Sequence, residues 1–204
     1  MLTIYLVRHG ETHSNREKRL QGWMDAPLTE KGIEHSRLLG KKLSNIEFDV
    51  VYQSPIQRTV KTAEYILAGR NITTITEEDL KEYGFGEWEG KTISEVIEKY
   101  TNEIDNFWNA PHLYNHRPHK AEGIADFRSR VEGALNRILA ENESGNILVV
   151  THGITIKAIL AYIMNLPIEK LWETPFIFNT SLTIFHWDGD RFQIGMVNDT
   201  SHFE

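Results

Sequence analysis

Ile4-Tyr5-Leu6-Val7-Arg8-His9-Gly10 decides the fold. It is a short apolar run with β-branched residues that stops at two basic side chains and a glycine, the pattern of a buried strand and its exit corner. The same design returns in Ile147-Leu148-Val149-Val150-Thr151-His152-Gly153. Phe48 to Tyr52 is another apolar run, Ile72 to Ile75 suits an edge strand, and Leu182 to Trp187 with Phe192 to Val197 suit two closing strands around Asp188-Gly189-Asp190. Helical patterns lie between them. Thr29 caps one that runs to about Leu43 with Ile33, Leu39 and Leu43 inward. Ser54-Pro55 reads as an N-cap with proline at the first helical position, opening a helix to about Leu67 with Val60, Ala63 and Leu67 on one face. Further helices are expected over Thr92 to Tyr100, Ala125 to Glu141 and Ile154 to Met164. Leu80 to Gly90 reads as an ordered loop and Asn102 to Lys120, with Pro111 and Pro118, as irregular. Strands alternating with helices predict an α/β fold on a largely parallel sheet, with the closing pair suited to an antiparallel hairpin.

Bulk properties narrow the function. The 204 residues suit a single domain, 40% are hydrophobic and 25% charged, and the net charge is -7. That sign gives no electrostatic reason to hold nucleic acid or an anionic membrane, so a small anionic ligand would need a local cluster of Arg and His. Cysteine is absent, which rules out disulfides and thiolate metal sites. No apolar run approaches the length of a membrane span, and the first residues run straight into Arg8-His9 without a signal core, so a cytoplasmic protein is expected.

The two His-Gly corners carry the chemistry. Ligands of open α/β sheets bind beyond the carboxyl ends of the strands, where His9 and His152 should both lie. A helix beginning just after His152 offers free N–H groups to an anion. Gly10 and Gly153 let the backbone turn and approach closely. One histidine after a strand is ordinarily just a polar corner residue; two at equivalent strand ends, one beside Arg8, favour function. Arg58 falls in the first turn of its helix, where a cation opposes the macrodipole, and a bound phosphate would favour it there.

These residues and their neighbours resemble the histidine phosphatase superfamily, the phosphoglycerate-mutase-like proteins. The resemblance runs in order through Arg8-His9-Gly10-Glu11-Thr12, Asn15, Leu20-Gln21-Gly22, Pro27-Leu28-Thr29-Glu30-Lys31-Gly32, Ser54-Pro55 with Arg58 and Thr62-Ala63, Leu80-Lys81-Glu82 with Gly86-Glu87-Trp88-Glu89-Gly90, and Val149 to Gly153. It implies a three-layer α/β/α sandwich, one domain over residues 1–204 with a variable substrate-lid region at about 91–122, and no metal or cofactor. It also implies that His9 is the phosphorylated histidine, that Arg8, Arg58 and His152 complete the phosphate pocket, that Glu82 is the proton donor, and that Asn15, Gln21, Gly22 and Gly153 line the substrate. Within the family the chain is similar to the broad-specificity and α-ribazole phosphatases. Glu122 with Asp126-Phe127-Arg128-Ser129-Arg130-Val131 resembles a further stretch of that branch, though Ala121 and Gly123 depart from its pattern.

The implied reaction is hydrolysis of a small phosphate monoester through a phosphohistidine on His9, the neutral imidazole attacking phosphorus and Glu82 protonating the leaving alkoxide. A hydrogen bond from His9 to a backbone carbonyl would present its other nitrogen to phosphorus. Arg8, Arg58 and His152 are expected to supply positive donors to the phosphoryl oxygens. The alternative is a cofactor-dependent phosphoglycerate mutase, which would need a paired Arg and a Lys for a second anion; no Arg-Arg pair occurs in this chain. A silent binding or regulatory domain is the third reading, and intact Arg8, His9, Arg58, Glu82 and His152 speak against it. His112, His116, Arg117, His119 and Lys120 suit either a basic lid over an anionic substrate or a plain surface loop, and a metal site is disfavoured by Pro118. Trp23, Trp88 and Trp108 suit a pocket wall or core. A monomer or a homodimer fits.

Overall fold

Leu2, Ile4 and Leu6 face one apolar cluster and Tyr5 and Val7 face another, so the first strand, β1 (Leu2–Arg8), is buried on both sides. Strands β2 (Val50–Gln53), β3 (Thr74–Thr76), β4 (Gly145–Thr151), β5 (Leu182–Trp187) and β6 (Phe192–Asp199) join it in a computed structural model that describes residues 1–203. Among the described residues the sheet has the order β3-β2-β4-β1-β5-β6. The first four of these are mutually parallel; β5 is antiparallel to β1, and β6 to β5. A chain buried on both faces reads as a continuous apolar run, and the central pair β4 and β1 shows it.

Helices cover both faces, giving three layers. After the short α1 (His13–Arg16), α2 (Glu30–Lys42) and α3 (Gln57–Leu67) place Leu39, Ala63, Ile66 and Leu67 against Val7, Val51, Leu148 and Val150. On the opposite face, α4 (Ile93–Asn109), α5 (Ile124–Glu141) and α6 (Gly153–Ile163) bring Phe107, Phe127 and Ile156 onto Leu2, Ile4, Leu6, Ile147 and Val149. The α/β/α sandwich with a mostly parallel sheet is therefore observed.

Two elements differ from the sequence reading. Helix α4 does not stop at Tyr100. Tyr100 takes a non-helical conformation (φ -131, ψ 44) and makes a kink, and the helix resumes to Asn109 because Ile104 and Phe107 still bury the same apolar side. Phe107 packs on Tyr83, Phe85 and Trp88 at centroid distances of 5.0, 5.7 and 6.3 Å, contacts that exceed any local preference of the segment. Helix α3 begins at Gln57, after an Ile56 N-cap that makes no side-chain cap bond, and so not at Ser54-Pro55. Its free N-terminus is met from afar, as the Arg58 amide donates to Asp25 Oδ1 at 3.4 Å.

The register of β1 against β4 positions the site. Val7 pairs with Val150 and Arg8 with Thr151, so His9 and His152 leave adjacent strands at the same level. The His9 amide continues the ladder by donating to the Thr151 carbonyl at 2.9 Å.

Candidate active site

His9 is held by its own corner. Its Nδ1 lies 2.8 Å from the Gly10 carbonyl, which can only accept, so Nδ1 carries the hydrogen and the neutral ring's lone pair is on Nε2. The His9 carbonyl accepts from the Thr180 amide at 3.2 Å, and the Gly10 amide donates to Thr62 Oγ1 at 2.9 Å. Gly10 is required for packing: a Cβ there would stand 2.7 Å from the Gly32 carbonyl oxygen at the start of α2. Gly153 has a different reason, because a Cβ there would press on the Arg8 guanidinium, 3.2 Å from Nε.

Arg58 is 1% exposed, and its guanidinium is aimed by backbone. Nη1 donates to the Met24 carbonyl at 2.9 Å and Nη2 to the Gly22 carbonyl at 2.7 Å, while Asp25 Oδ1 lies 3.5 Å from Nη1. Asp25 thus offsets part of the macrodipole conflict for which the sequence suggested a bound phosphate. Arg8 donates from Nη1 to the Ile177 carbonyl at 2.6 Å. In both guanidiniums the buried Nε has no hydrogen-bond partner among the described residues. Unpartnered buried donors are costly, and two beside one histidine suit an oxyanion.

His152 lies with its ring centroid 5.3 Å from that of His9. Its Nε2 is 2.7 Å from Ser54 Oγ, which explains why Ser54 does not cap α3. That hydroxyl has no other acceptor among the described residues, so it donates to Nε2 and leaves the hydrogen on Nδ1. Nδ1 is a third buried donor without a partner among the described residues. Glu82 stands at the start of α6: its Oε1 accepts from the Thr155 amide at 3.1 Å and the Tyr83 amide at 3.0 Å, and its Oε2 from the Ile154 amide at 3.2 Å.

Burial, with Arg58 and Arg8 adding, holds His9 well below the usual histidine range, so it is neutral near pH 7. Burial and the same two guanidiniums, with His9 itself, hold His152 well below that range too. Without an anion His152 is therefore a neutral imidazole, and a bound phosphoryl group would favour its charged form. The positive charge at the site comes from Arg58 and Arg8, the latter pushed down to about 10 by burial, opposed by Glu82 and reinforced by Arg58.

Arg8, His9, Arg58 and Glu82 share one cleft of about 260 Å³ with Asn15, Gln21, Gly22 and Gly153. All eight were named from the sequence; the ninth, His152, is wholly buried with its ring beside that of His9. Thr12 explains the placing of Asn15 and Gln21, because it caps α1 and its hydroxyl donates to Gln21 Oε1 at 3.0 Å. The rest of the lining escaped the sequence reading, Trp108 excepted. It is apolar (Leu20, Phe85, Ile154, Phe176 and Ile177) with Arg19 and Lys157 at its edge. Helical spacing from Gly153 would have reached Lys157, one turn on. Phe176 and Ile177 sit in a loop with no period to read.

The remaining candidates fall elsewhere. Of segment 91–122 only Trp108 lines the cleft among the described residues. His119 is buried, stacked on Trp88 with centroids 3.9 Å apart and bonded to the Tyr114 hydroxyl, and Lys120 pairs with Glu87 at 3.0 Å. None of His112, His116, Arg117, His119 and Lys120 is among the residues lining the cleft. Trp88 belongs to the core, and Trp23 donates from Nε1 to the Glu82 carbonyl at 2.8 Å.

Comparison with known proteins shows the family and agrees with the fold. A family model described as the histidine phosphatase superfamily (branch 1) matches residues 4–200. Phosphoserine phosphatase 1 of Hydrogenobacter thermophilus is 31% identical over 202 residues, 99% of this chain and 94% of that protein. The probable phosphoglycerate mutase GpmB of Cronobacter sakazakii is 33% identical over 170 residues, 82% of this chain and 77% of that protein. Among solved structures, Bacillus stearothermophilus YhfR is similar over 100% of both chains, at 40% identity and a TM-score of 0.94.

Proposed function

The chain belongs to branch 1 of the histidine phosphatase superfamily, and on that premise we propose that it is a phosphomonoesterase working through a phosphohistidine on His9. One observation carries the reading: a neutral imidazole with Nδ1 committed to Gly10, beside two guanidiniums whose buried Nε donors have no partner among the described residues.

The Nε2 lone pair of His9 attacks phosphorus, and the phosphorus–oxygen bond to the leaving alkoxide breaks. Glu82 gives its proton to that oxygen. The imidazole becomes a cation that keeps its hydrogen on Nδ1, still donated to the Gly10 carbonyl. Arg8, Arg58 and the His152 Nδ1–H bind the equatorial oxygens, where positioned donors in a buried site contribute most. A water then loses its proton to Glu82 and attacks phosphorus. The nitrogen–phosphorus bond breaks, releasing inorganic phosphate and neutral His9.

The outer cleft favours hydrolysis over mutase chemistry. A mutase must grip a second anion beyond the transferred phosphoryl group. Lys157 directs its ammonium at the carbonyls of Trp172 (3.2 Å), Thr174 and Pro175 (3.0 Å), and burial pushes it down to about 8. Arg19 pairs with Glu17 and Glu95 at 3.0 and 3.3 Å. Apart from Asn15 and Gln21, the remaining side chains outside the inner charged group are apolar: Leu20, Phe85, Trp108, Ile154, Phe176 and Ile177. The substrate is therefore a small monoester with no second anion to place.

The test is direct. Brief incubation with a labelled monoester, alkaline denaturation and peptide mass spectrometry should find phosphate on His9. His9→Ala should lower turnover at least ~10⁴-fold. Label on another residue, or turnover in His9→Ala above a tenth of the parent's, would exclude the mechanism.

A further inference from the structure

Glu82 lies in a stretch without regular structure, after the turn Glu78–Leu80, yet every carbonyl from residue 79 to 82 is bonded by a side chain. Thr151 Oγ1 donates to the Leu80 carbonyl at 2.7 Å. Arg130 of α5 reaches all the others: Nη1 donates to the Asp79 and Lys81 carbonyls at 2.7 and 2.8 Å and Nη2 to the Glu82 carbonyl at 2.8 Å, with Thr155 Oγ1 sharing Lys81 at 2.9 Å and Trp23 Nε1 sharing Glu82 at 2.8 Å. The rest of the guanidinium grips Glu122, with Nε on Oε1 at 2.5 Å and Nη2 on Oε2 at 2.8 Å. All five N–H groups of Arg130 are thereby directed at the Glu82 loop or at its anchor.

Glu122 closes the clamp from the far side. Its Oε2 accepts from the Gly84 amide at 3.1 Å and its own amide donates to the Gly84 carbonyl at 2.8 Å. The pair is little exposed, 15% for Arg130 and 11% for Glu122, and the guanidinium lies 5.0 Å over the Phe127 ring, which is itself core. Arg128 takes no part and pairs with Glu132 on its own helix. Neither Arg130 nor Glu122 lines the cleft.

We propose that Arg130, held by Glu122, is a positioning residue that sets where the Glu82 carboxylate meets the leaving group. The inference rests on the assignment of Glu82 as general acid. Only a planar fork reaches three carbonyls and a carboxylate together; a lysine ammonium has three donors on one atom. A small displacement of an acid costs a large part of its contribution, and that contribution matters most for a poor leaving group.

Arg130→Lys and the milder Glu122→Gln should be compared with Glu82→Gln on an alkyl phosphate and a nitrophenyl phosphate. Arg130→Lys should lower kcat about 30-fold on the alkyl ester and about 3-fold or less on the nitrophenyl ester, with KM little changed. Glu122→Gln should show the same pattern more weakly. Arg130→Lys added to Glu82→Gln should cost nothing more, because the acid is already gone. Equal losses on both esters in Arg130→Lys, or full additivity with Glu82→Gln, would overturn the clamp. A separate readout covers failure of the acid assignment, which equal losses in Glu82→Gln would reveal. The amides of Tyr83, Ile154 and Thr155 donate to the Glu82 carboxylate, and their hydrogen exchange should quicken at least about 10-fold in Arg130→Lys. Unchanged exchange there would reject the clamp, whatever Glu82 does in the reaction.

Discussion

The two ends of the cleft are built by opposite means. At the inner end His9 and His152 hang from paired strands, and Arg58 is aimed by carbonyls of the facing loop. Each side chain there is almost wholly buried, and its orientation follows from the sheet register and from backbone bonds. The outer end sets two core residues, Phe85 and Ile177 at 3% and 2% exposure, beside Trp108 and Phe176, and Phe176 is 67% exposed with an apolar side chain that no hydrogen bond fixes. The contrast separates two tasks. Rigid elements can hold a charge constellation for one small anion, whereas loops can change their apolar lining without disturbing it.

Removing a charge from the inner end should have the largest effect. Arg58→Ala should lower kcat/KM on a nitrophenyl phosphate about 10³-fold, and Arg58→Lys should recover little, since a lysine's donors sit on one atom and cannot span both carbonyls and the phosphate as the planar fork does. A loss under tenfold would show that the inner end is less dependent on its geometry than its burial implies.

An intermediate effect is expected in stability against pH. His9 and His152 are neutral when folded, with proton affinities held below the ordinary histidine value. The unfolded chain therefore binds protons first as pH drops below about 6.5, so stability falls with acid, by about 1.4 kcal/mol per pH unit for each such histidine. Urea unfolding between pH 7 and 5.5 should show a shallower decline in His152→Asn than in the parent. Parallel declines would mean that the histidine is not held neutral by the inner end.

The smallest effect belongs to the outer end. Phe176→Ala should lower kcat/KM on an aryl phosphate about 5-fold, roughly 1 kcal/mol of lost apolar contact, with the change in KM. A change mainly in kcat would break the division between the two ends.

The same division governs what the amino-acid order discloses. Strands β1 and β4 were legible because a residue buried on both faces leaves no polar alternation, and their His-Gly corners mark where the apolar run must end. Their adjacency was not legible, as it depends on the parallel pairing of distant segments. Ser54 and Tyr100 misled for one physical reason: a local signal lost to a distant partner. Ser54 bonds His152, 98 residues away, and α4 continues past Tyr100 to keep Phe107 in the aromatic core. Glu82 was located only through the resemblance, because the acidic run from Glu77 otherwise reads as a solvated face. The clamp on its loop was out of reach, since Arg130 bonds carbonyls 48 to 51 residues away and carbonyls carry no sequence mark.

Trp23 gives this arrangement an optical consequence. Its indole N–H shares the Glu82 carbonyl with Arg130, its ring lies under the Lys81 ammonium at 5.0 Å, and it is 51% exposed while Trp88 is wholly buried. The ring is thus a fluorophore wired to the backbone of the acid loop and open to soluble quenchers. Separated from the other four tryptophans by substitution, its emission becomes a strain gauge for that loop.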